Sequence, residues 1–313
     1  MLEPADDLLH GGPPDDPSWT ETWWYPLYAP EAKIAAYLYA VVRPVAGVAA
    51  GGVIVWDDRT DTLFDALFAD YRWAEPFEHS EGRHFRFHSG LSIEIVDPLR
   101  ESRIRYENPD NDTSLDVTFR AAADAHSPSK DAKGKGIKGH FDQPGVLQGS
   151  LRVGELELRV DSPMVRDRSW GSRPDAGKRW WGDRIGYTTG AGADFAFLAV
   201  SHPNATDRAD VFDGFIDRGD KRSPIRRGRR QLYYRRDGRI ERVELALVDD
   251  DGRELQLEGT MQNRCTFQSI PAMMTTVSMA TWSVDGEGDA VGEDQDVWWQ
   301  HSWRQFARSR ARS

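Results

Sequence analysis

Residues Gly139–Pro174 read GHFDQPGVLQGSLRVGELELRVDSPMVRDRSWGSRP. In the middle of this stretch Leu156, Leu158 and Val160 alternate with Glu155, Glu157 and Arg159. A period of two puts apolar side chains on one face and charged ones on the other, the pattern of a half-buried antiparallel strand. Gly154-Glu155 marks a turn between this run and Val146–Val153, which predicts a hairpin. The same period recurs outward along the chain. Val243, Leu245 and Leu247 alternate with Arg242, Glu244 and Ala246; Leu255 and Leu257 alternate with Glu254, Gln256 and Glu258. Arg236-Asp237-Gly238 and Asp249-Asp250-Asp251-Gly252 supply turns around them. Further strands are predicted over Ala36–Val42, Gly52–Trp56, His84–His88, Ser92–Val96, Leu115–Arg120, Asp194–Ser201 and Val211–Asp217. One helix is expected over Thr62–Tyr71, and irregular loops over Asp124–Lys138, Arg218–Arg230 and Val284–Asp296. Many short strands with turns between them predict an all-β barrel or sandwich class.

At 313 residues the chain is near the limit for one core, so two domains are expected, 1–165 and 166–313. Hydrophobic residues make up only 39%, but 12 Trp, 9 Tyr and 13 Phe supply bulky burial. A net charge of −11 argues against a nucleic-acid partner and against docking on an anionic membrane. The lone Cys265 excludes an intramolecular disulfide and a cysteine zinc site, and fits a reducing compartment. The opening MLEPADDLLHGGPPDDP has neither a basic nor an apolar signal segment. The longest apolar stretch, Ile34–Val55, is broken by Arg43 and Pro44, so no membrane insertion is expected. These features predict a soluble, cytoplasmic protein.

Chemistry concentrates in two runs, WTETWWY at Trp19–Tyr25 and RDRSWG at Arg166–Gly171. If the first is extended, Glu21 shares a face with Trp19 and Trp23, while Trp24 points the other way. Glutamate is almost never fully buried unpaired. Glu21 therefore pairs with an arginine of RDRSWG or handles a substrate proton. Asp167 sits between two arginines, which depress its pKa, and near Trp170, whose burial raises it. It reads as a structural anion or a proton donor. His140, ordinarily near pKa ~6.5, suits proton transfer. Gln143 follows it, and the Tyr25 phenol can donate a hydrogen bond. His84 and His88 lack a third ligand and an H-E-x-x-H frame, so no metal is expected. No nucleophile elbow, phosphate loop or dinucleotide fingerprint is present, so no cofactor is expected either.

E-x-W-W-Y, H-F-x-Q and R-D-x-S-W-G resemble motifs of the carotenoid 1,2-hydratase family, also called hydroxyneurosporene synthase-like or AttH-like. The matching positions are Glu21, Trp23, Trp24, Tyr25, His140, Gln143, Arg166, Asp167, Ser169, Trp170 and Gly171. Arg168 stands where the family usually has histidine. The resemblance implies two lipocalin-like barrels packed side by side, with RDRSWG at their seam. It implies Asp167 as acid or base, assisted by His140 or Glu21. Trp23, Trp24, Tyr25, Trp170, Gln143 and Arg168 would then contact substrate. The expected chemistry is cofactor-free hydration, dehydration, isomerisation or cyclisation of a hydrophobic isoprenoid, steroid or polyketide-like molecule. The aromatic faces would stabilise a developing carbocation. The competing expectation is a non-catalytic carrier of an apolar ligand. A buried carboxylate that faces a cavity rather than an arginine fork separates the two.

Overall fold

The computed structural model describes residues 2–77, 82–128, 137–173, 183–203, 207–219 and 221–310. Two compact units divide the chain: Met1–Asp57 with Leu63–Pro174, and Asp58–Thr62 with Asp175–Ser313. The first holds strands β1 (Trp19–Ala29), β2 (Ile34–Arg43), β3 (Val48–Trp56), β4 (Phe68–Pro76) and β5 (His84–Arg86). It continues with β6 (Leu91–Asp97), β7 (Glu101–Glu107), β8 (Thr113–Ala121), β9 (Ile137–Val153) and β10 (Leu156–Ser172). All ten form one antiparallel sheet in the order β4-β3-β2-β1-β10-β9-β8-β7-β6-β5. The GELELRV hairpin is the β9–β10 turn, with Leu156 opposite Val153. Its two strands are long, and each also pairs with a second neighbour, β9 with β8 and β10 with β1.

The sheet is a half-barrel, and β4 at one edge is bonded to residues far along the order. Tyr106 on β7 donates to Asp70 on β4 at 2.8 Å, and its ring lies 5.4 Å from that of Phe68, tilted to it. The Ser89 N–H donates to the Glu75 carboxylate at 3.1 Å.

The second unit holds β11 (Arg184–Ala191), β12 (Ala196–Pro203), β13 (Arg208–Arg218), β14 (Lys221–Tyr234) and β15 (Ile240–Asp249). Then follow β16 (Glu254–Met261), β17 (Cys265–Ile270), β18 (Met273–Val284), β19 (Gly288–Trp299) and helix α1 (Gln300–Arg310). Its sheet runs β16-β15-β14-β13-β12-β11-β19-β18-β17, and β16 also pairs with β18. That pairing closes an eight-strand barrel and leaves β17 outside it. Phe197, Leu245 and Trp282 pack in its core. Two buried ion pairs accompany them, Arg230 with Asp294 at 2.6 Å and Arg184 with Asp296 at 2.7 Å. The whole is an all-β double barrel, as the alternation predicts. Among the described residues no helix is long and apolar enough to cross a membrane.

Several expectations are corrected. Thr62–Tyr71 is not a helix: a single 3-10 turn, Leu63–Asp65, leads into β4. A helical spacing of Leu63, Leu67 and Tyr71 competes there with the alternation of Phe68–Pro76, and ladder pairing with β3 decides it. Arg218–Arg230 is not a loop but part of the β13–β14 hairpin, with Arg226, Arg227 and Arg229 exposed and Arg230 buried. Val284–Asp296 is largely β19. Part of the expected loop Asp124–Lys138, residues 129–136, lies outside the described residues, as do 174–182. The units divide after Pro174 rather than after 165, because β10 runs unbroken through Arg166 to Ser172.

Candidate functional site

Register settles which side chains share a face. In an antiparallel sheet, directly opposite residues point the same way and neighbours along a strand point oppositely. Trp23 lies opposite Arg168 and Phe141, and Glu21 opposite Trp170. Trp24 lies opposite Asp167 and Asp142, and Thr22 opposite Ser169 and His140. The motif residues therefore split across the two sides of one sheet. Glu21, Trp23, Tyr25, Gln143, Arg166, Arg168 and Trp170 occupy one side. Trp24, His140 and Asp167 occupy the other.

The first side is a pairing network that fastens the N-terminal segment. Asp7, fully buried, receives Arg166 through two bonds of 2.9 Å and the Leu99 N–H at 2.7 Å. Burial pushes the Asp7 carboxyl up, but the Arg166 charge outweighs it and holds the pKa below its ordinary value. Arg166 also donates to Gln143 at 2.7 Å and to the Tyr25 hydroxyl at 3.2 Å. Glu21 accepts from Arg168 at 2.6 Å, the Trp19 indole at 3.0 Å and the Gly11 N–H at 2.9 Å. Burial opposes its ionisation, yet the bond from His10 and the Arg168 charge hold its pKa at about 2. Arg168 lies over the Trp23 ring at 3.9 Å, and His10 stacks on Trp170 at 4.5 Å. Glu21 thus takes the paired role, and Arg168 binds Glu21 on the face opposite Asp167.

The second side gathers ionisable groups of another kind. Asp142 Oδ2 lies 2.9 Å from His140 Nε2, and Asp167 Oδ2 lies 3.2 Å from His140 Nδ1. Asp142 is buried, while His140 and Asp167 keep 18% and 17% of their side-chain surface exposed. Burial works against charging His140; the Asp142 and Asp167 charges outweigh it and raise its pKa to about 9. Burial also raises the Asp167 carboxyl, the Asp142 charge adds to this, and His140 and Arg173 oppose it. Ser169 exchanges a hydrogen bond with Thr22 at 2.7 Å and accepts one from Arg173. Tyr39 on β2, opposite Trp24, completes the group; burial first, then the Asp167 charge, raise its phenol.

His140, Asp142 and Asp167 offer one donor atom each within 4.8 Å of one another, the spacing of a possible cation site. Asp142 and Asp167 lie against different nitrogens of the His140 ring, whereas one ion would take only one of them, so the trio fits a hydrogen-bonded relay better than a ligand set. A cleft of about 950 Å³ reaches the cluster at His140, with Leu99, Ala123, Lys138, Gln143 and Trp170 also in its wall. That volume is within the range of small-molecule sites. Asp142, Tyr39 and Arg173 carry no motif match. The i, i+2 spacing of His140 and Asp142 on an extended run was the one available signal for Asp142.

A family model described as "Domain of unknown function (DUF7064)" matches residues 3–292. The chain belongs to this family. No curated protein matches it. Among solved structures it is similar to a putative AttH from Nitrosomonas europaea, 12% identical over 89% of this chain and 91% of that one, TM-score 0.60. CghA with Sch210972 is 11% identical over 90% and 88%, TM-score 0.57. Kievitone hydratase from Nectria haematococca is 13% identical over 95% and 93%, TM-score 0.56. These neighbours are of the carotenoid hydratase and AttH-like group that the motifs resemble, and at such identities what is shared is the two-barrel β fold.

Proposed function

We propose that the chain is a cofactor-independent acid–base enzyme, a hydratase or dehydratase, isomerase or cyclase, acting on a hydrophobic isoprenoid, steroid or polyketide-like substrate. One observation carries this reading: Asp167 is a part-exposed carboxyl, raised by burial, beside an imidazole held charged by a second carboxylate. Asp7 and Glu21 are consumed by arginines, whereas Asp167 is left facing His140. The name of one structural neighbour, kievitone hydratase, supports the same class of reaction.

In the hydration direction, protonated Asp167 gives its proton to one alkene carbon, the π pair forms the C–H bond, and the other carbon becomes cationic. Water adds its lone pair there and returns a proton to the Asp167 carboxylate. Dehydration is the reverse. The His140 imidazolium stabilises the carboxylate between the two transfers, and aromatic faces such as Trp24 attract the cation.

Asp167→Asn keeps the size and loses the titration. Turnover should vanish while ligand binding survives; unchanged turnover would refute the acid role. The substrate itself is sought by native mass spectrometry of protein taken from cells, where a co-purifying terpenoid or lipid gives its class. The carrier reading is favoured by one fact, that Asp167 is not in the cleft wall. Release of an unaltered ligand from the parent and Asp167→Asn alike would support it.

A further inference from the structure

Asp142 is the least exposed member of the trio, with 1% of its side-chain surface accessible. It lies on β9 two residues after His140 and directly opposite Asp167. Its backbone is pinned by two bonds to His126, 2.8 Å from its N–H and 2.7 Å to its carbonyl. A carboxylate on so rigid a base can dictate the orientation of a neighbouring imidazole. We propose that Asp142 is a positioning residue: by accepting the Nε2 proton it fixes the His140 ring so that Nδ1–H faces Asp167. The proposal deepens, and rests on, the reading of Asp167 as the acid.

The geometry leaves His140 little choice. With Asp142 at Nε2 and Asp167 at Nδ1, both nitrogens meet acceptors, which only the doubly protonated ring satisfies fully. A ring flip would put Cε1 and Cδ2 where the nitrogens stand and lose both contacts. The charged groups facing His140 are Asp142 on its own strand, Asp167 on β10, and Arg173 just beyond β10, which opposes the other two. Tyr39 on β2 faces Asp167 rather than the imidazole. An isolated imidazole titrates near ~6.5, and an opposite charge within a few ångströms lifts it by roughly 1–3 units. Asp142 is the larger of the two charges that raise the ring's pKa, and it supplies a hydrogen bond as well.

Nitrogen NMR of 15N-histidine-labelled protein tests this directly. The chain has 8 histidines, and His140→Gln assigns the resonance by its loss. In the parent, both nitrogens should be protonated at neutral pH with a midpoint near 9. Asp142→Asn, matched in size, should lower that midpoint by about one unit or more. A parent midpoint near 6.5, or an unmoved midpoint in Asp142→Asn, overturns the proposal. Should the variant fail to fold, the parent midpoint and nitrogen shifts alone still decide it. With a substrate in hand, Asp142→Asn should lower kcat at unchanged KM and move the alkaline limb of the rate profile to lower pH, with partial rescue by Asp142→Glu. Altered titration alongside an active Asp167→Asn would instead mean that Asp142 holds His140 and that the acid is wrongly assigned.

Discussion

A carboxylate with no exposed surface is a statement about pH. Glu21 is such a group, held by Arg168, Trp19, His10 and the Gly11 N–H. Its folded pKa of about 2 lies below the ordinary 4.5, so the stability it contributes is fully present above pH 4.5 and is lost as pH falls toward 2. The difference corresponds to about 3 kcal/mol. Asp7, also depressed, acts in the same direction. Denaturant midpoints measured between pH 5 and 2.5 should fall steadily; a flat profile would mean that neither carboxylate is ionised by its arginine. The alternation of WTETWWY already places Glu21 with Trp19 and Trp23 and turns Trp24 away. What it does not contain is the other half of the network, because Asp7 and His10 lie in an acidic, Pro-rich opening without a strand period.

Between strands, pairing is decided by what can fit. Gly139 on β9 lies opposite Trp170 on β10, and a Cβ there would stand 2.0–2.5 Å from the indole. Trp170 can cover β9 only because that position has no side chain. Gly139→Ala should therefore expel the ring, destabilise by roughly 1–3 kcal/mol and shift tryptophan emission to the red. An unchanged melting temperature and spectrum would show that the ring has room to move. Strands with clean alternation, such as Leu156–Val160 and Val243–Leu247, are legible because one face is buried and the other wet. Lys221–Tyr234 is illegible for a physical reason: its outward arginines make a paired strand look like a solvated loop. The Asp142 role is hidden for a related one, since opposite faces of a strand are separable in sequence but contacts across strands depend on register, which no local pattern supplies.

At the scale of the molecule, the two sheets differ in closure. The second unit closes by backbone pairing of β16 with β18, whereas among the described residues β4 and β5 of the first have no ladder partner on their outer sides, and Asp70 and Glu75 of β4 bond to Tyr106 and Ser89. Backbone groups at an unpaired edge open more easily than those inside a ladder. Native-state hydrogen exchange should find the amides of β5 faster than those of β12 and β13; equal protection would mean that β5 has a ladder partner on its outer side. In the first sheet the earliest strand made, β1, lies against the last, β10. Asp7 is synthesised 159 residues before Arg166, and Glu21 147 before Arg168. At a ribosomal pace of about 5–20 residues per second, those anions wait roughly 10–30 s for their cations. Until then they stay hydrated, the central strand has a neighbour on one side only, and no half of the unit is a finished object. Birth order thus makes the first unit a late folder: its opening residues become structure only when its closing strand arrives.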